Sequence, residues 1–149
     1  MVIHQERNTE TEHTAQDYAR RLFEQEGYRI SKGKRGCDFT ARRNDQTIPV
    51  EVKGRSNLDM NFTTMSKHEL ETLTSVPGAR LVLVYVSLKD KPQAIAHVTL
   101  TKDDIALSEV SSYRVKWKVS LRDRITEDLR RKIAQTPEIG QTNEKVLQS

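Results

Sequence analysis

The sequence predicts an α/β domain in which helices flank a mixed central sheet. An amphipathic helix opens the chain, several short strands follow with a capped helix among them, and a charged amphipathic helix comes last. A length of 149 residues fits one domain, and 35% hydrophobic residues are enough for a small core. We therefore predict a single domain over residues 9–136, with a flexible N-terminus over 1–8 and a polar tail over 137–149.

The first predicted element is a helix over residues 9–26. Its apolar residues fall at helical spacing, and Gly27 follows as a C-terminal stop. A short strand is predicted over 28–31, and the polar residues 43–46 favour a hairpin between strands over 39–42 and 47–53.

The middle of the chain predicts a short strand over 61–65 and then a helix that Ser66 caps and that runs to about Leu73. Glu69 completes a Ser-x-x-Glu capping box. We interpret the polar residues at the start of this helix, Ser66, Lys67 and Glu69, as capping residues; the alternative is that they approach a site on the strand over 47–53.

The last part of the domain predicts an apolar strand over 81–86 and another over 94–100. A short helix over 102–107, a half-exposed basic strand over 113–119 and a helix over 121–134 follow.

Several classes of protein are disfavoured by composition. The longest apolar run, residues 81–86, is far shorter than the roughly 20 residues of a membrane-spanning helix, and the polar N-terminus does not resemble a signal peptide. The single cysteine, Cys37, excludes an internal disulfide and a multi-cysteine zinc site. We expect a soluble, cytoplasmic protein with no membrane partner.

The positive charge is segregated along the chain. Residues 29–55 hold eight basic and three acidic side chains, and residues 114–132 hold the same numbers, although the net charge of the whole chain is only +4. Clustered lysine and arginine favour binding to phosphate backbones, and two ordinary solvated faces are the alternative. We predict contacts with DNA through Lys32, Lys34, Arg35, Arg42, Arg43 and Arg55.

The strand over 47–53 carries the most informative pattern. Because side chains alternate across a strand, Val50 and Val52 point to one face while Glu51 and Lys53 point to the other. Asp38 precedes the neighbouring strand, so a hairpin brings it close to Glu51. Two carboxylates beside a lysine suit a phosphodiester-hydrolysing site that holds Mg²⁺ or Mn²⁺. The alternative is an exposed strand whose charges only keep one face soluble.

Asp38, twelve intervening residues and then Glu51-Val52-Lys53 resemble the motif of the PD-(D/E)XK nuclease superfamily. The wider pattern, with Gly36-Cys37-Asp38-Phe39, Gly54-Arg55, Phe62-Thr63-Thr64 and Ser66-Lys67-His68-Glu69-Leu70, is similar to the domain at the C-terminus of NO VEIN-type proteins. Archaeal Holliday junction resolvases resemble the first helix and the motif strand. The similarity spans about residues 14–100.

This resemblance implies a restriction-endonuclease-like fold, a Mg²⁺- or Mn²⁺-dependent DNA endonuclease and, because members frequently dimerise, a homodimer. Asp38, Glu51 and the Val52 carbonyl are then the metal ligands, and Lys53 acts on the attacking water. Many relatives carry a glutamate on the first helix, where this chain has Gln16, with Glu12 and Asp17 nearby. We expect Gln16 to belong to the catalytic site.

Two other functions remain open from the sequence. A nuclease fold without turnover would bind nucleic acid or a partner protein in a repair or defence system, and the uncharged Gln16 favours it. A purely protein-binding domain would have negligible affinity for DNA, which the segregated charge argues against.

Overall fold

The computed structural model describes residues 2–34, 36–58, 62–106, 109–111 and 114–135, and these residues form an α/β fold. The described helices are α1 (Val2–Gln25), α2 (Lys67–Ser75), α3 (Lys102–Ala106) and α4 (Val119–Ala134). The strands are β1 (Arg29–Lys32), β2 (Phe39–Arg43), β3 (Gln46–Arg55), β4 (Phe62–Thr64), β5 (Arg80–Ser87), β6 (Gln93–Leu100), β7 (Glu109–Ser111) and β8 (Arg114–Lys116). The polar tail predicted over 137–149 lies outside the described residues.

The main sheet has five strands in the order β1-β2-β3-β5-β6. Strands β3 and β5 are parallel and the other neighbours are antiparallel, so the predicted mixed sheet is confirmed. The parallel pair requires a crossover connection, and α2 lies within that connection between β3 and β5. The predicted hairpin is also confirmed, with Asn44 at a φ of 57° in its turn.

Both faces of the sheet are covered, which buries its central strands. Helix α1 packs on one face, where Ala15, Ala19 and Phe23 join Val50 and Val52 in one apolar cluster. Helices α2, α3 and α4, together with β8, build a second cluster on the other face. Strand β3 therefore lies between two cores rather than between a core and solvent.

Three predicted boundaries are wrong. Helix α1 begins at Val2 instead of residue 9, so it includes residues 2–8. No proline or glycine interrupts this segment. At the other end, β8 stops at Lys116 and α4 begins at Val119, because Leu121, Ile125 and Leu129 bury one stripe of that helix.

A second sheet of three strands, in the order β4-β8-β7, extends this side of the protein. Strand β7 was not predicted, because three residues are too few for a periodic pattern to emerge. Its pairing with β8 supplies the hydrogen bonds that define it. Among the helices of the described residues, none combines the length and apolar character needed to cross a membrane.

Candidate active site

Asp38 lies directly before β2 and is attached to the motif strand β3 at two points. Its backbone N–H donates to the Val50 carbonyl at 2.9 Å, and its carboxylate oxygen Oδ2 accepts a hydrogen bond from the Val52 N–H at 2.7 Å. The hairpin thus brings Asp38 beside the strand that carries Glu51, as the sequence predicted.

Glu51 and Lys53 lie on one face of β3, and Val50 and Val52 lie on the other, so the predicted alternation is confirmed. The Lys53 Nζ atom is 3.4 Å from Glu51 Oε1. Glu51 is far less accessible than expected for an outward-facing site residue, with only 5% of its surface exposed. The alternative reading, an exposed strand with solubilising charges, is therefore wrong for Glu51.

A third acidic side chain comes from α2. Glu69 Oε1 lies 3.3 Å from Lys53 Nζ, so the lysine has a carboxylate on either side. The capping box predicted for α2 is confirmed, because Ser66 Oγ accepts from the Glu69 N–H at 3.1 Å and Glu69 Oε1 accepts from the Ser66 N–H at 2.8 Å. Glu69 is thus both a cap and a neighbour of the site, and the capping pattern itself was its sequence signal.

The acidic side chains of the site alter one another's pKa values. Burial raises the pKa of Glu51 to about 10, and the hydrogen bond to Glu69 and the charges of Asp38 and Glu69 act in the same direction. For Glu69, burial is outweighed by hydrogen bonds to Glu51, Ser66 and Lys53, which lower its pKa. Without a bound cation, Glu51 therefore keeps its proton at neutral pH while Glu69 carries a charge.

Burial and the neighbouring acidic side chains also have opposite effects on the pKa of Lys53. Burial tends to lower the pKa of Lys53, but the interactions of its ammonium group with Glu51 and Glu69, hydrogen bonds among them, outweigh burial and the pKa is raised. Lys53 is consequently an ammonium cation at neutral pH, able to donate hydrogen bonds but not to act as a base.

Gln16 reaches the site from α1. Its Nε2 atom donates a hydrogen bond to Asp38 Oδ1 at 3.2 Å, so the position predicted from the resemblance lies beside the motif aspartate. Asp17 is exposed and forms an ion pair with Arg20 at 3.5 Å, and Glu12 is also exposed. An uncharged amide is thus the group that α1 contributes at Asp38.

Two glycines allow helices to approach the motif. A Cβ at Gly54 would lie 3.0 Å from both the Thr11 carbonyl oxygen and Ala15 Cβ, so α1 packs directly on the backbone of β3. Gly36 has a φ of +94°, and a Cβ there would lie 2.8 Å from the His68 carbonyl oxygen. The segment before Asp38 therefore rests on α2.

The acidic residues fit the donor set of a hard divalent cation. Within the described residues, no group of three or more His, Cys, Asp or Glu side chains is arranged as a complete metal site. Asp38 and Glu69 nevertheless lie close enough to Glu51 for their charges to add to the effect of burial on its pKa. Mg²⁺ needs only one or two carboxylates, since waters and a substrate phosphate complete its octahedron. Asp38 and Glu51 can supply those ligands.

The predicted DNA-binding residues fall into separate groups. Lys32 pairs with Phe39 at the end of β2 nearest Asp38, and Lys34 is exposed in the following loop. Arg35 lies outside the described residues, and Arg55 is half-buried at the end of β3. Arg42, at the opposite end of β2, lies about 10 Å further along that strand than Phe39, at roughly 3.3 Å per residue.

Arg43 has contacts within the fold. Its guanidinium donates to the Glu26 carbonyl at 2.9 Å and lies 4.4 Å from the centre of the Tyr28 ring. These contacts join the hairpin turn to the end of α1, so Arg43 serves the fold whether or not it also contacts DNA.

A comparison with models of known protein families and a comparison with curated proteins find no match for this chain. The function is therefore inferred from the residues of the site itself.

Proposed function

We propose that the chain is a Mg²⁺-dependent endonuclease, also active with Mn²⁺, that hydrolyses DNA phosphodiester bonds on a restriction-endonuclease-like fold. One observation carries the proposal: the hydrogen bond from the Val52 N–H to Asp38 Oδ2, at 2.7 Å, joins a carboxylate to the strand that presents Glu51 and Lys53. The hairpin that brings Asp38 to this strand supports a site built from two acids and an ammonium group.

Each residue has a distinct role in this proposal. Asp38, Glu51 and the Val52 carbonyl are the ligands of Mg²⁺, which when bound neutralises phosphate charge and acidifies water. Lys53 orients the attacking water and stabilises negative charge on the phosphate through its ammonium group. Gln16 holds Asp38 in place through its amide N–H at 3.2 Å.

In this proposal the DNA backbone is bound by basic side chains in and around the β1-β2-β3 part of the sheet. Lys32 and Lys34 are exposed beside Asp38, where a phosphate must lie for hydrolysis. Arg35, Arg42, Arg43 and Arg55 extend the proposed contacts. A homodimer that cuts two strands and a cytoplasmic location, suggested by the lone Cys37, complete the proposal.

The test is cleavage of supercoiled plasmid and of branched DNA with Mg²⁺ or Mn²⁺. Asp38→Ala and Lys53→Ala should each abolish cutting, whereas Asp45→Ala, in the exposed hairpin turn, should cut like the wild type. Circular dichroism of each variant separates lost chemistry from lost folding. Cleavage that survives both site substitutions in folded protein would refute the proposed site.

A nuclease fold that binds nucleic acid or a partner protein without turnover is the second candidate. The uncharged amide of Gln16 beside Asp38 favours it, because one carboxylate fewer weakens binding of a divalent cation. DNA binding without cutting, together with metal-dependent cutting by Gln16→Glu, would support this second function.

A further inference from the structure

We infer that Glu69 is a positioning residue that fixes the ammonium group of Lys53 through the capping box of α2. The catalytic part of this inference rests on the proposed function, in which Lys53 acts on the attacking water. Its structural part, that Glu69 determines where the Lys53 ammonium lies, stands on the contacts of the two side chains alone.

Lys53 is held from two sides in a mostly buried setting. Its Nζ atom lies 3.4 Å from Glu51 Oε1 and 3.3 Å from Glu69 Oε1, and only about a fifth of each of the Lys53 and Glu69 side chains is exposed. Contacts of an ammonium group at this depth are screened less by water and salt than contacts at the surface. Both contacts can therefore restrain the lysine.

Glu69 is itself restrained by the start of α2. The oxygen that contacts Lys53, Oε1, also accepts the Ser66 N–H at 2.8 Å, and the Glu69 N–H returns a bond to Ser66 Oγ at 3.1 Å. The position of this oxygen is thus set by backbone groups of the helix rather than by a free side chain.

The same helix also contacts the segment that precedes Asp38. A Cβ at Gly36 would lie 2.8 Å from the His68 carbonyl oxygen, so the backbone before Asp38 packs against the first turn of α2. Helix α2 therefore fixes Lys53 and the approach to Asp38 from one rigid element.

Glu69 would also be needed when Glu51 binds a cation. A carboxylate whose charge is shared with Mg²⁺ attracts an ammonium group less strongly, so Glu51 alone would leave Lys53 poorly held. A lysine side chain has many rotamers, and a fixed second carboxylate limits them. Glu69 supplies this second carboxylate without being needed as a metal ligand.

The experiment compares Glu69→Gln with two other variants of the full chain. Glutamine still accepts the Ser66 N–H, so the capping box remains while the charge is lost. Ser66→Ala weakens the cap but keeps the carboxylate, and Glu71→Gln removes an exposed carboxylate from the same helix. Acylation of Lys53 by an N-hydroxysuccinimide ester is measured by mass spectrometry against exposed Lys89 in each variant.

We expect Glu69→Gln to raise the relative acylation of Lys53 several-fold and to lower kcat for DNA cleavage roughly tenfold with little change in KM. Glu71→Gln should change neither quantity. Unchanged acylation of Lys53 in Glu69→Gln would overturn the inference. An equal rise in Ser66→Ala, which keeps the Glu69 carboxylate, would also overturn it, because the stability of the helix would then explain the result. If the wild type cuts no DNA, the proposed function fails, and the acylation of Lys53 by itself then supports or overturns the positioning role.

Discussion

Glu51→Gln should remove much of the pH dependence of the stability of this protein when no divalent cation is present. Glu51 is 5% exposed, and its pKa is raised from 4.5 to about 10, first by burial and then by its acidic neighbours. The folded protein therefore holds a proton on Glu51 that the unfolded chain releases above pH 4.5.

The sign and size of the effect follow from this difference. The stabilisation by protonated Glu51 is fully present below pH 4.5 and is lost as the pH rises towards about 10. In that window one extra proton is bound in the folded state, so the free energy of unfolding falls by about 1.4 kcal/mol per pH unit. Between pH 6 and pH 8 the loss from Glu51 amounts to roughly 3 kcal/mol.

Glutamine has no titrating group, so this slope should disappear in Glu51→Gln, while its amide N–H can still donate to Glu69. The measurement is urea unfolding at pH 6, 7 and 8 in the presence of EDTA. The matched control is Glu71→Gln, whose side chain is 58% exposed on α2 and which should retain the wild-type slope. Parallel pH dependence of wild type and Glu51→Gln would show that Glu51 is already ionised in the folded protein, and the reasoning about its burial would be refuted.

Three further substitutions test individual packing contacts of the fold. Gly54→Ala places a Cβ 3.0 Å from Ala15 Cβ and should lower the free energy of unfolding by about 1–3 kcal/mol in urea, and no change would mean that α1 shifts freely. Thr63→Val should raise the free energy of unfolding by about 1 kcal/mol, and with it the melting temperature, because the Thr63 hydroxyl is buried and has no hydrogen-bond partner within the described part of the chain. A lower melting temperature would reveal a partner such as a buried water. Arg43→Ala should cost about 1 kcal/mol through its lost contact with Tyr28, and an effect on DNA affinity alone would contradict this role.

Most of the motif could be predicted because its information is local. Alternation along residues 47–53 fixed which side chains share a face, and the polar turn fixed the hairpin that brings Asp38 to β3. The capping box of α2 was likewise readable from Ser66 and Glu69, which are three residues apart. In each case residues near one another in the sequence interact directly, so a short segment of sequence is enough to predict the local structure.

Contacts across the fold were less predictable. Glu69 approaches Lys53 only because α2 connects the parallel strands β3 and β5 and returns over the sheet. Whether Gln16, Asp17 or Glu12 would meet Asp38 depended on the rotation of α1, which the close approach at Gly54 decides. Neither contact can be predicted from the spacing of the residues in the sequence.

The sequence by itself determined the order of the helices and strands apart from β7, the placement of Glu51 and Lys53 on one face and the nearness of Asp38, because periodicity and turn chemistry act over a few residues. Only the tertiary structure decided that Glu51 is buried, with a raised pKa, that Gln16 contacts Asp38 and that Glu69 contacts Lys53. Burial and long-range contact arise when both faces of a sheet are covered by elements distant in the chain, and that packing is a property of the whole fold.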